Sequence, residues 1–133
     1  MFRAMDRSLR ALCADPDPEA PPEPRRLLLA NPAHLGDVLA STAVLPVLKS
    51  AFPNTSVGML VGSWSVPLVA NHPLVDQVHL FDHWYANRGS DAFPVKLRRH
   101  WLTRATALAE IRAVGYDTAV DLYCHSPPPK VGA

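Results

Sequence analysis

The segment from Arg26 to Phe52, RLLLANPAHLGDVLASTAVLPVLKSAF, constrains this chain more than any other. Its run Leu27-Leu28-Leu29-Ala30 is short and unbroken, the pattern of a strand buried on both faces. A loop, Asn31-Pro32-Ala33-His34-Leu35, leads to Gly36-Asp37. Beyond it Val38, Thr42, Leu45, Leu48 and Phe52 recur three or four apart, on one face of a helix. This is a strand, a glycine turn and a helix whose N-terminus faces back at the turn. In open parallel sheets ligands bind outside the carboxyl ends of strands, so chemistry is expected here. Asp37 is the only acid in the turn. Pro46 lies deep in the helix, where it removes an amide donor and its ring meets the carbonyl of Thr42, so a kink is expected.

The alternation continues downstream. Phe52-Pro53-Asn54 breaks the helix, and Val57 to Gly62 reads as a second strand. A short helix from Val66 to Asn71 accommodates Pro67 in its first turn, and Val78 to Phe81 forms a third strand. A loop from Asp82 to Pro94 precedes the longest helix, Val95 to Val114, with Leu97, Trp101, Ala105, Leu108 and Ile111 assigned to its buried side. Gly115 is its expected stop, since glycine adopts the left-handed conformation freely. Asp117 to Tyr123 is a fourth strand. Alternating strands and helices imply an α/β fold: a Rossmann-like parallel sheet of order 3-2-1-4 flanked by helices.

With 133 residues, 48% of them apolar, the chain has the material for one cored domain, here residues 26–124. Residues 1–25 read as a disordered Pro/acid-rich extension, because ADPDPEAPPEPRR sets five prolines among acids; a short helix over Met1 to Cys13 fits the spacing of Phe2, Met5, Leu9 and Leu12. Residues 125–133 read as an irregular tail. A net charge of +1 supplies no bulk attraction for nucleic acid. Cys13 and Cys124 lack metal-ligand spacing and read as reduced thiols, and no metal site is expected. No apolar run approaches the ~18 residues that span a bilayer, and no secretory signal is present, so a cytoplasmic location is expected.

Four pieces, in order and correctly spaced, resemble glycosyltransferase family 9, the ADP-heptose:lipopolysaccharide heptosyltransferase family. They are LLLANPAHLGDVLASTAVLPVLKSAFP, VGMLVG, NHPLVDQVHLF and GYDTAVDLY. The resemblance implies an inverting transferase of GT-B architecture, of which this chain would be the N-terminal, acceptor-binding half. It implies a glycan or glycolipid acceptor of lipopolysaccharide type, a nucleotide-sugar donor such as ADP-heptose held by a C-terminal domain, and peripheral association with the inner membrane. Asp37 takes the place of the family's general base, the group that deprotonates the acceptor hydroxyl. Two departures stand out: Ala33-His34-Leu35 where small hydroxyl residues are common, and Ala43 where a proline is common. The chain stops soon after the fourth strand and carries no P-loop and no G-x-G-x-x-G, so the expectation is a truncated portion, inactive by itself.

Asp37 has two readings that can hold together: the base, or an ordinary N-cap stabilising the helix by ~1 kcal/mol. The candidate acceptor-binding residues are His34, Leu35, Gly36, Arg88 and Arg98. Arg88, Lys96, Arg98, Arg99 and Arg104 face a single acid, Asp91, which fits either an anionic partner or a solvated helix face. Trp84 and Tyr85 suit a sugar ring, a membrane interface or a core cover. Asp117 and Asp121 flank the fourth strand and read as strand-end residues. The competing function is a non-catalytic Rossmann-like module that holds an anionic glycan or protein partner. A nucleotide-dependent oxidoreductase is disfavoured, because the first turn lacks the glycine fingerprint.

Overall fold

β1 (Arg26–Asn31), β2 (Ser56–Val61), β3 (Gln77–Leu80) and β4 (Thr118–Asp121) form one sheet in the order 3-2-1-4, every pair parallel. These elements belong to a computed structural model that describes residues 23–122. The expectations for the N-terminal extension before residue 23, for both cysteines and for the tail lie outside the described residues. Between the strands run α1 (Leu35–Thr42), α2 (Val44–Ala51), a 3-10 turn at Ser63–Ser65, α3 (Val66–Val69) and α4 (Phe93–Val114).

The three leucines of β1 are buried, as a strand covered on both faces requires. Leu27 and Leu29, in register with Val57 and Met59 of β2, pack on Val38 of α1, Leu45 and Leu48 of α2, and Val69 of α3. Each such residue contributes roughly 1.5–3 kcal/mol by leaving water. The apolar stripe read from the sequence therefore faces the core, with Phe52 packed at its margin.

The helix carrying that stripe is not continuous. It divides at Ala43, where the amide turns onto the carbonyl of Ala40 at 3.2 Å. The sequence places a kink around Pro46, and the break lies one turn earlier for the same reason. Proline offers no hydrogen to the Thr42 carbonyl, so the chain restarts, and Pro46 falls in the first turn of α2 where no intrahelical donor is needed.

α4 covers the opposite face of the sheet at β3. His79, buried in β3, sets Nδ1 2.8 Å from Glu110 Oε2 and Nε2 2.8 Å from the Tyr116 hydroxyl. The Glu110 carboxylate accepts from the imidazole. Tyr116 lies across Gly58, the one residue of β2 without a side chain to obstruct it. Burial, then the nearby Asp76 and Glu110 charges, raise the Tyr116 hydroxyl above its ordinary pKa. α4 turns His100 and Ala107 inward, whereas Trp101, Ala105 and Leu108 are exposed. The apolar spacing thus misassigns the helix face by about a quarter turn. Gly115 ends α4 with φ 68°, the left-handed conformation expected of it.

Two acids from the later sequence pieces brace the amino ends of the strands. Asp76 Oδ2 accepts from the Val57 amide at 2.7 Å and meets Lys49 Nζ at 3.4 Å. Asp117 Oδ2 accepts from the amides of Arg25 and Arg26 at 2.9 and 3.2 Å. Desolvation acts to raise the Asp117 carboxyl, but the two amides together with the Thr118 hydroxyl and the Arg25 charge lower it, and the group is held below its ordinary range.

Candidate functional site

The carboxyl ends of β1 and β2 open onto a cleft of about 600 Å³. One wall is the start of α1, through His34 and Leu35; the floor includes Ser63 and Trp64 beyond β2. The far wall comes from the loop after β3, with Asn87, Arg88 and Gly89, and from Arg99 of α4.

Asn31 builds the near wall. Buried at the end of β1, its amide nitrogen donates to the carbonyl of Asp37 at 3.1 Å and to the hydroxyl of Ser41. Ser41 in turn donates to the same Asp37 carbonyl at 2.9 Å. The Asn31 side-chain oxygen accepts from the Ala33 amide at 3.3 Å. One asparagine thus ties strand, loop and helix, and it does so through the backbone of Asp37. His34 is the N-cap: its carbonyl receives the amides of Asp37 and Val38 at 3.0 and 3.1 Å, and its side chain makes no capping bond. Asp37 therefore occupies the third helical position rather than the cap. A carboxylate in this first turn complements the helix dipole. It is exposed and has no hydrogen-bond partner among the described residues.

The loop wall is anchored as closely. Asp82, buried at the end of β3, accepts from the Ser63 amide at 2.7 Å and the Ser63 hydroxyl at 3.0 Å. Its own amide donates to Thr103 Oγ1 of α4 at 3.0 Å. Lys96 Nζ donates to the Asn87 carbonyl at 2.9 Å, and Arg99 pairs with Asp91 at 3.0 Å. The cations early in α4, unfavourable to its dipole, are accounted for in part by this anchoring. Trp64 folds back over Gly62, where a side chain would strike its ring at 2.2 Å, and donates to the Ala33 carbonyl at 2.8 Å.

The fold brings His34, Leu35 and Arg88 of the sequence-derived set to one cleft, with Arg88 Nη2 3.4 Å from His34 Nε2. Gly36 and Asp37 follow on the next half turn of α1, outside the cleft walls. Arg98 lies on the outer side of α4, and its neighbour Arg99 faces the cleft. Sequence reasoning passed over Asn31, Ser63, Trp64 and Asn87. Asn31 and Ser63–Trp64 directly end apolar strands, the position where ligands are sought, and that signal could have found them.

Chemically, the cleft offers two guanidinium groups, a histidine, a serine and an asparagine beside an apolar wall. The amides of Leu35 and Gly36, as first-turn amides, have no carbonyl inside the helix to receive them. Such a set suits an anionic, hydroxyl-rich ligand. Among the described residues no three His, Cys, Asp or Glu side chains stand together as metal ligands would.

No family model and no curated protein matches the chain. The fold does match a solved structure, "The crystal structure of the glycosyl transferase family 9 from Veillonella parvula DSM 2008", with a TM-score of 0.57 and 21% identity. The match covers 73% of this chain and 25% of that chain, so the protein described here spans about a quarter of its neighbour's length. At this identity the likeness is one of fold.

Proposed function

We propose that residues 26–124 form the acceptor-binding domain of an inverting, heptosyltransferase-like glycosyltransferase. In this reading a sugar passes from a nucleotide sugar such as ADP-heptose to a lipopolysaccharide-type acceptor, in the cytoplasm. The observation that carries the reading is the His34–Asp37 turn beside the 600 Å³ cleft, at the carboxyl edge of a 3-2-1-4 sheet. Asp37 takes the proton of the acceptor hydroxyl, the oxygen attacks the anomeric carbon, and the nucleotide diphosphate leaves. Arg88 and Arg99 hold an anionic group of the acceptor, and His34 hydrogen-bonds one of its oxygens. The donor is bound by a second α/β domain.

The test uses a protein that joins these residues to a donor-binding domain. Asp37→Asn should lower kcat by about 10²–10⁴-fold, the scale of general-base catalysis, with acceptor affinity retained. An unchanged kcat removes the base role. The competing binding module draws support from the cleft walls, which are cationic and exclude Asp37. Under that reading a phosphorylated or carboxylated sugar binds the chain, Arg88→Ala weakens it, and Asp37→Asn alters nothing.

A further inference from the structure

Along the outer flank of α4 the residues Pro94, Arg98, Trp101, Ala105, Leu108 and Arg112 recur four and three apart, and every one is exposed. The stripe has an apolar middle, with Trp101 56% exposed and Leu108 38%, and an arginine on either side of it. Arg104 adds a third cation, its guanidinium 5.4 Å from the centre of the Trp101 ring. Among the described residues Arg98, Arg104 and Arg112 stand in no ion pair. The only acid of α4, Glu110, is engaged with His79 on the sheet side. Large apolar side chains grouped in water mark an interaction site, and here the cations ask for an acidic occupant.

One stretch of this chain joins acid to apolar surface. Residues 14–24, ADPDPEAPPEP, hold four acids, five prolines and no cation. Only Glu23 and Pro24 of that stretch belong to the described residues. The chain enters the fold beside the end of α4: Arg26 Nη1 donates to the Val114 carbonyl at 2.6 Å, and the Arg25 amide donates to Asp117 at 2.9 Å. Its prolines bias the stretch towards polyproline II, which rises ~3.1 Å per residue. Pro16 through Arg25 then reach about 31 Å, whereas Arg98 lies about 24 Å from Val114 along the helix. Asp15 to Glu23 spans about 25 Å in that form, against about 21 Å from Arg98 to Arg112.

We propose that residues 14–24 lie along this stripe as a strap, Glu23 towards Arg112 and Asp15 towards Arg98, with proline rings on Trp101 and Leu108. Proline-rich segments dock on aromatic side chains because polyproline II is preformed and loses little entropy on binding. By itself the stretch has too little apolar surface to fold, so a ready-made surface supplies the other half. The tether sets an effective concentration on the order of mM, so pairs that are weak singly suffice. A second copy of the chain is the poorer occupant. Two stripes laid antiparallel set Arg98 against Arg112 twice, and laid parallel they set each arginine against its like. The proposal is independent of the transferase reading, and either stands if the other fails.

The experiment reads the accessibility of Trp101 to acrylamide in the full chain carrying Trp64→Phe and Trp84→Phe. Adding Asp15→Asn, Asp17→Asn and Glu19→Gln, or raising the salt, should increase the quenching constant about 2-fold. Arg98→Glu with Arg112→Glu should release Trp101 in the same way, and adding Asp15→Arg with Glu23→Arg should restore its protection, the circular dichroism spectrum being unchanged throughout. A second measurement leaves the tryptophans in place. Ala20→Cys with Ala105→Cys, in a chain carrying Cys13→Ser and Cys124→Ser, should close an intramolecular disulfide at least ~10-fold faster in buffer than in urea. Equal quenching of parent and charge variants, or a disulfide no faster in buffer than in urea, overturns the proposal. A disulfide that forms between chains, in proportion to their concentration, assigns the stripe to a second copy and overturns it too.

Discussion

A methyl group on Gly58 would lie 1.9 Å from the Tyr116 hydroxyl, which itself stands 2.8 Å from buried His79. Alanine at position 58 must push the ring away and break its contact with the imidazole. Gly58→Ala should therefore cost about 1–3 kcal/mol of unfolding free energy in urea, a cost that shrinks in a Tyr116→Ala background. Asp117 carries a pH dependence of definite sign. Its carboxyl titrates below the ordinary 3.8 in the folded chain, so folding favours the ionised form. That contribution is complete above the ordinary value and is lost as pH falls through the lower folded value. Between about pH 5 and about pH 3 the urea midpoint of Asp117→Asn should fall less than that of the parent protein.

Among the elements, the break at Ala43 makes a prediction opposite to that of an uninterrupted helix. A proline inside a continuous helix costs about 3 kcal/mol, and its removal returns that amount. In the first turn of α2, Pro46 obstructs nothing, and Pro46→Ala should shift stability by less than about 1 kcal/mol. A gain near 3 kcal/mol on urea unfolding would show a strained, continuous helix instead. The strands were readable from sequence because each is a short apolar run closed by turn residues. The buried face of α4 was not. Spacing selects Trp101 and Leu108, yet the helix crosses a four-residue strand whose inward group is a histidine. It therefore packs through His100, Thr103 and Ala107, and a polar pairing decides what apolar periodicity cannot.

At the level of the whole molecule, β3 and β4 are the edges of the sheet among the described residues. β4 exposes Ala119, and among the described residues no strand pairs along its outer side. Ala119→Lys should slow aggregation during refolding at high concentration, read by light scattering, while leaving the unfolding midpoint nearly unchanged. An unaltered aggregation rate would remove β4 as the sticky edge. The position of the site follows from sheet topology, which the sequence pattern specifies. Its far wall does not, since His34 and Arg88 are 54 residues apart and meet only after the chain has crossed the sheet. No local pattern chooses Arg99 over Arg98 either, because that choice rests on the roll of α4.

The tether from Asn31 and Ser41 grips residue 37 by its main-chain oxygen, an atom every amino acid possesses. Whatever side chain stands there, the surrounding architecture survives. Selection acting on such a turn can exchange one reactive group for another, or discard reactivity altogether, without unlearning how to fold.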